Sequence, residues 1–299
     1  MRILLLGRTG QLGWELQRTI APLGNIFALG PEELNLTGLE ALARLIHELH
    51  PQVIVNASAY TAVDRAEGQV ELAMQINALA PAVMAKAAQA LNAVLIHFST
   101  DYVFDGEKDS PYIEEDGTNP LNVYGQSKLS GEQFIAQTGC AHIILRTSWL
   151  YSLRGNNFVS KTLAWARQQE TLRIVSDQVG SPTWARMLAE ITAAMLAQSL
   201  PASQAYFSTR SGIYHLGGSG SVSRLEFART LLQLDPHSDE LKVRSLEPAS
   251  TGDFSVSARR PLRTSLDCSR FESTFGLRLP NWEESLRLAM SDQPTNPGP

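Results

Sequence analysis

Four short apolar runs recur through the first half of the chain, Ile3–Leu6, Val53–Val55, Val94–Phe98 and Ile143–Leu145, and a polar cluster follows each at once. The clusters are Gly7-Arg8-Thr9-Gly10-Gln11-Leu12-Gly13, Asn56-Ala57-Ser58-Ala59-Tyr60-Thr61, Ser99-Thr100-Asp101-Tyr102 and Arg146-Thr147-Ser148-Trp149. Between the runs, stretches such as Leu39–Leu49 and Leu72–Leu91 carry apolar residues at helical spacing. Short uninterrupted apolar runs suit parallel strands covered on both faces. The alternation therefore predicts an α/β fold, a Rossmann-like doubly wound parallel sheet. Ligands bind such a sheet at the carboxyl ends of its strands, so the four polar clusters are expected to converge on one edge.

The first cluster has the Gly-x-x-Gly-x-x-Gly spacing of a dinucleotide fingerprint. Its setting matters more than its spacing, because it follows an apolar run directly and opens a helix-like segment, Trp14-Glu15-Leu16-Gln17-Arg18. Gly7 allows the tight turn, Gly10 lets backbone N–H groups approach a pyrophosphate, and Gly13 permits close helix–strand packing. The bland alternative is a structural glycine turn.

Tyr124 and Lys128 form the second motif, spaced to share one helix face. With 7 tyrosines and 5 lysines in 299 residues, a Tyr-x-x-x-Lys pair arises by chance roughly 0.1 times. An adjacent ammonium favours the phenolate and is expected to lower the Tyr124 pKa, making the phenol a proton donor to a developing alkoxide. Thr100, at the end of its apolar run, is placed to hold a substrate carbonyl oxygen beside Tyr124; the alternative is a hydroxyl capping a strand end. His47 and His50 lack zinc-protease spacing and read as a solvated helix face. No metal site is expected.

Length and composition set the remaining bounds. At 299 residues the chain is about two domain-lengths. Residues 1–150 are read as the dinucleotide-binding domain, with Ile213–Leu216 returning a strand to its sheet, and 151–299, where Pro and Gly punctuation increases, as a smaller C-terminal substrate-binding domain. Ser291–Pro299 reads as a frayed tail. The 25 basic and 30 acidic residues leave a net charge of −5 without a basic stripe, so nucleic acid is not an expected partner. Cys140 and Cys268 are too far apart for a CxxC motif and fit a reducing compartment. No apolar run is long enough for a secretory or membrane-spanning segment, and a cytoplasmic location is expected.

Together with Pro120-Leu121-Asn122-Val123 before Tyr124, Gly155-Asn156-Asn157-Phe158 and Asp177-Gln178-Val179-Gly180-Ser181-Pro182-Thr183, these motifs resemble the dTDP-4-dehydrorhamnose reductases, members of the extended short-chain dehydrogenases. The likeness runs nearly to Asn281-Trp282. It implies reduction of a dTDP-4-dehydro-sugar at C4, with catalytic Thr100, Tyr124 and Lys128. It further implies that Gly10, Gln11 and Leu12 take the pyrophosphate, that Ala59, Tyr60 and Thr61 line the adenosine-to-ribose side, and that Lys128 binds the nicotinamide ribose. Asp101, Trp149 and Asn157 would meet the substrate, with Arg259 and Arg260 on its diphosphate.

Two departures from the family pattern bear on cofactor choice and assembly. No acid lies in Asn25–Pro31, where an NAD-selective site places one; Glu32 and Glu33 come after Pro31, and Arg8 is placed to meet a 2′-phosphate. NADPH is therefore expected as the preferred cofactor, with NADH accepted. Some relatives form a magnesium-bridged dimer through glutamates; Glu15 is kept, but Arg186 stands at a second ligand position, so a monomer or metal-independent dimer is expected. Two other readings share the same fold, a nucleotide-sugar epimerase or dehydratase that recycles its hydride, and a non-catalytic regulatory relative. Tight cofactor retention without net NADPH consumption would mark the first, and loss of Thr100, Tyr124 or Lys128 the second; all three are present.

Overall fold

The computed structural model describes residues 1–291. Of the expected tail Ser291–Pro299, Ser291 closes the helix Trp282–Ser291, and 292–299 lie outside the described residues. Six parallel strands form the central sheet: β1 (Arg2–Leu6), β2 (Asn25–Leu29), β3 (Val53–Asn56), β4 (Val94–Thr100), β5 (Ala141–Thr147) and β6 (Gly212–His215). Their order is β6-β5-β4-β3-β1-β2. The chain leaves β1 in one direction for β2 and crosses to the other side for β3, which makes a switch point between β1 and β3. The returning strand is β6, where Ile213 pairs with Ile144 of β5.

Successive strand residues point to opposite faces, and both faces are dry. Ile3, Leu5, Val53, Val55, Ile96 and Leu145 pack beneath α1 (Gln11–Thr19) and a helix from the second half of the chain, Ala185–Gln198. Leu4, Leu6, Ile54, Leu95 and Ile144 face α2 (Leu39–Leu49) and α3 (Ala80–Ala90). Burial on both sides explains why the strands read as uninterrupted apolar runs; each fully buried Leu or Ile contributes about 1.5–3 kcal/mol. Sequence position 150 is thus not a clean divide, because both β6 and Ala185–Gln198 return to the sheet.

The expected helix over Leu72–Leu91 is interrupted. Val70–Met74 leads through one π-turn, Gln75–Leu79, into α3. The turn aims Asn77 at the backbone of Tyr60, accepting from its N–H at 2.8 Å and donating to its carbonyl at 3.0 Å, so the widened turn fixes the loop after β3.

A second, smaller core lies in the later chain, where Tyr151, Val159, Trp184, Phe227, Leu231 and Leu286 cluster. The Phe227 ring sits at its centre, 5.4 Å from Tyr151 and 5.9 Å from both Phe158 and Trp282. Among the described residues, no helix is long and apolar enough to cross a membrane.

Candidate active site

A cleft of about 950 Å³ opens at the carboxyl ends of β1, β3, β4 and β5. Gly7, Gly10, Gln11 and Leu12 line it from the first loop, Ala59 and Thr61 from the second, Thr100 and Asp101 from the third, and Trp149 from the fourth. Tyr124 and Lys128 enter from α4 (Val123–Thr138). The expected convergence of four clusters on one edge is what the sheet produces.

The glycine loop fits a dinucleotide for three separable reasons. Gly7 has φ +89°, and a Cβ there would stand 2.7 Å from the Ser58 nitrogen. On Gly13 it would stand 2.0 Å from the Gly7 carbonyl oxygen, so helix and loop could not close together. Gly10 differs, since only Gly7 O comes as near as 3.4 Å to a Cβ placed there. Its bareness keeps open the mouth of α1, whose N-terminal N–H groups no side chain caps.

α4 is drawn close under the cleft by two more glycines. A Cβ on Gly125 would meet Tyr102 O at 2.2 Å, and one on Gly131 would meet Asn77 O at the same distance. Asn122 caps the helix by accepting from Gly125 N–H at 2.8 Å. Tyr124, Lys128 and Glu132 then follow at four-residue intervals along the face toward β4 and β5. Tyr124 lines the cleft with Thr100, whose Oγ1 donates to Asp101 Oδ1 at 3.1 Å. Asp101 is buried, and its Oδ2 accepts from Ser148 at 2.8 Å and Thr264 at 2.5 Å.

One electrostatic expectation is reversed. Burial pushes the Tyr124 phenol well above its ordinary value, with the Thr100 hydroxyl pulling the other way. Lys128 does not lower it, because its Nζ is turned to the Phe98 carbonyl at 2.6 Å and lies 3.3 Å from His97 Nε2. The phenol is held in its protonated, donating form.

Several residues expected at the ligands are engaged elsewhere. Arg8 points to Glu33 in a salt bridge, and Glu33 also accepts from Gly30 N–H at 2.8 Å. The turn from Gly30 to Leu34 brings this carboxylate back to the end of β2, although Glu33 follows Pro31 in the chain. Tyr60 directs its hydroxyl to Gln69 at 2.6 Å, outside the cleft. Asn157 caps the helix Phe158–Ala166 and donates to Gln11 Oε1 at 2.9 Å and Ser152 O at 2.8 Å, a tie between the two halves of the chain in place of a substrate contact. Arg260 grips Asp64 through two hydrogen bonds of 2.6 and 3.1 Å. With exposed Arg259 it lines a neighbouring cavity, so the two do not form a fork in the main cleft. Arg186 pairs with Glu190 at 3.1 Å.

Arg224 was missed. It opens the helix Arg224–Gln233 and lies 3.6 Å over the Trp149 ring, inside the cleft. Trp149 itself has φ +44°, and a Cβ on Gly180 would stand 2.5 Å from its Cε2. Guanidinium and glycine therefore clamp the indole between them. Burial lowers the Arg224 pKa to about 10, with Tyr102 and Asp101 pulling the other way. A lone Arg in Ser223-Arg224-Leu225 carries no motif that could have flagged it.

A parallel dinucleotide-binding sheet with Tyr124 and Lys128 beside a strand-end Thr100 defines a short-chain dehydrogenase of the extended kind. The family model for the RmlD substrate binding domain matches residues 1–294. A dTDP-4-dehydrorhamnose reductase of Burkholderia thailandensis is 41% identical over 295 residues, covering 98% of this chain and 99% of that protein. The Escherichia coli K12 reductase of the same name is 39% identical over 297 residues, 98% of each. The crystal structure of the Bacillus anthracis reductase in complex with NADP aligns with a TM-score of 0.88 at 33% identity, over 98% of this chain and 99% of that one. The chain belongs to the dTDP-4-dehydrorhamnose reductase family.

Proposed function

We propose that Thr100, Tyr124 and Lys128 carry out reduction of the C4 ketone of dTDP-4-dehydro-L-rhamnose to dTDP-L-rhamnose. The observation that carries this reading is that Tyr124 and Thr100 line the same cleft as Lys128 and the glycine loop. Family membership supplies the substrate class, a dTDP-sugar, and the redox chemistry. A nicotinamide dinucleotide, NADPH in preference to NADH, supplies hydride to C4. Tyr124 gives its proton to the same ketone oxygen as negative charge grows there, and Thr100 holds that oxygen. In the free cleft Thr100 rests its hydroxyl proton on Asp101 Oδ1 at 3.1 Å, and that proton turns to the ketone oxygen when substrate is bound. Lys128 takes the ribose hydroxyls, Gly10, Gln11 and Leu12 the pyrophosphate, and Ala59 and Thr61 the wall beside them. Following the NADPH absorbance at about 340 nm with the enzymatically prepared ketone tests the reading, and no net oxidation would sink it.

Trp149 flanks the sugar, and Arg224 stacked on it offers a guanidinium to the diphosphate. Arg224→Gln is expected to raise the substrate KM about tenfold or more, with kcat little changed, because the lost interaction binds ground and transition states alike. An unchanged KM would return the diphosphate to Arg259.

Glu33 and Arg8 together read the adenosine ribose in this proposal. The carboxylate accepts a 2′-OH, whereas a 2′-phosphate draws Arg8 away from it. Both cofactors are accordingly accepted. Arg8→Ala should shift the kcat/KM ratio toward NADH and Glu33→Gln toward NADPH; ratios that move together, or not at all, would show that another residue reads this position. We take the reaction to be cytoplasmic, and the Arg186–Glu190 pair supports an assembly that needs no metal.

A further inference from the structure

Beneath the active site, β4 carries two polar side chains that the proposed reaction does not use, Ser99 and His97. His97 is fully buried. Its Nδ1 lies 2.9 Å from Asn56 Nδ2, and its Nε2 lies 3.3 Å from Lys128 Nζ. The orientation of Asn56 is fixed from outside the pair, since the Ser58 backbone N–H donates to Asn56 Oδ1 at 3.1 Å. A backbone donor cannot face an amide NH2 group, so Asn56 presents that group to the imidazole. Nδ1 must then accept, and the ring carries its proton on Nε2.

That Nε2–H is aimed at Lys128. An ammonium has no lone pair to receive it; a neutral amine has one, and can still donate to Phe98 O at 2.6 Å. In the run Ser58, Asn56, His97, Lys128, Phe98, the His97 Nε2–H finds an acceptor when the amine is uncharged and faces a fellow donor when it is charged. A second proton on His97 would instead set Nδ1–H against the Asn56 NH2, and burial holds the imidazole well below its ordinary pKa. Burial likewise pushes Lys128 down to about 8.

No nearby carboxylate reverses this. Glu132, one turn on in α4, is the anion that favours the charged amine, but it is gripped by Arg146 of β5 at 2.7 and 3.0 Å. Asp101 at the end of β4 is held by Ser148 and Thr264, and Tyr124 on α4 is protonated.

We infer that Asn56 and His97 favour the neutral amine of Lys128 while the cleft is free of dinucleotide, so that above neutral pH Lys128 takes up a proton as the dinucleotide binds. This rests on the reading that Lys128 meets the nicotinamide ribose. The ribose hydroxyls offer acceptors that His97 withholds, and the diphosphate adds negative charge to the cleft. His97 is a positioning residue. It acts through Lys128 and sets how much of the dinucleotide's affinity depends on pH.

Calorimetric titration with NADH, which carries no 2′-phosphate to titrate, reads the proton directly when run in HEPES and in Tris. At pH 8.0 the buffer dependence of the enthalpy is expected to report uptake of about half a proton, falling close to zero at pH 6.5. Asn56→Asp places a carboxylate opposite Nδ1, moves the ring proton there and frees Nε2 to accept from an ammonium. Its uptake should vanish while NADH still binds. Wild-type protein that binds NADH without uptake overturns the inference and leaves the function standing. Full uptake persisting in Asn56→Asp, or in Lys128→Met, also overturns it. Failure of the wild type to bind NADH overturns the function and the inference together.

Discussion

Tyr124→Phe is expected to lower kcat by about 10²–10⁴-fold, the usual cost of removing a positioned acid, with NADPH affinity nearly unchanged. The substitution removes one oxygen. The ring remains against Tyr102, 5.7 Å between centroids, and α4 keeps its glycine contacts with the strand-end loop. Burial raises the phenol pKa, so the donor stays protonated across neutral pH and titration of Tyr124 in the free enzyme should not shape the rate there. Steady-state kinetics with a parallel fluorescence titration of NADPH separate the effects. A kcat within about threefold of wild type would remove Tyr124 as proton donor.

Glu132→Leu should cost about 3–5 kcal/mol of stability, the range for breaking a buried ion pair by deleting one partner. Glu132 and Arg146 are almost wholly enclosed, with side-chain exposures of 1% and 3%. Their three hydrogen bonds, 2.7 to 3.2 Å long, pin α4 to β5 one turn beyond Lys128. Leucine would leave a guanidinium stranded with the Phe104 ring 5.1 Å away as its remaining neighbour. Replacing both residues, as in Glu132→Leu with Arg146→Met, should recover most of the loss, because no charge is then left unpaired. Urea unfolding decides it. A single variant within about 1 kcal/mol of wild type would show that the helix does not depend on the pair.

Much of the candidate site was legible because it is local. Gly7, Gly10 and Gly13 announce a loop whose backbone must approach itself and a ligand. Tyr124 and Lys128 share a face by helical spacing alone, and Thr100 follows from its place at the end of an apolar run. Arg224 was not legible, since it becomes a cleft residue only by stacking on Trp149, 75 positions earlier and on another element. His97 was hidden differently. It reads as one polar residue in an apolar strand, and its meaning depends on Asn56 and Lys128 flanking it from a neighbouring strand and a helix.

By itself, then, the sequence determined the alternation of strand and helix, the edge on which the polar clusters meet and the spacing of the reactive pair. These follow from side-chain period and backbone freedom, which act over a few residues. Tertiary structure decided which of the gathered side chains are free. Asn157 is committed to Gln11 across 146 positions and Arg260 to Asp64 across 196, while Arg8 finds Glu33 only because a turn folds back on β2. A buried or half-buried polar group takes whichever partner the packed chain places within about 3 Å, and that partner is fixed by the fold of the whole molecule, not by distance along the chain.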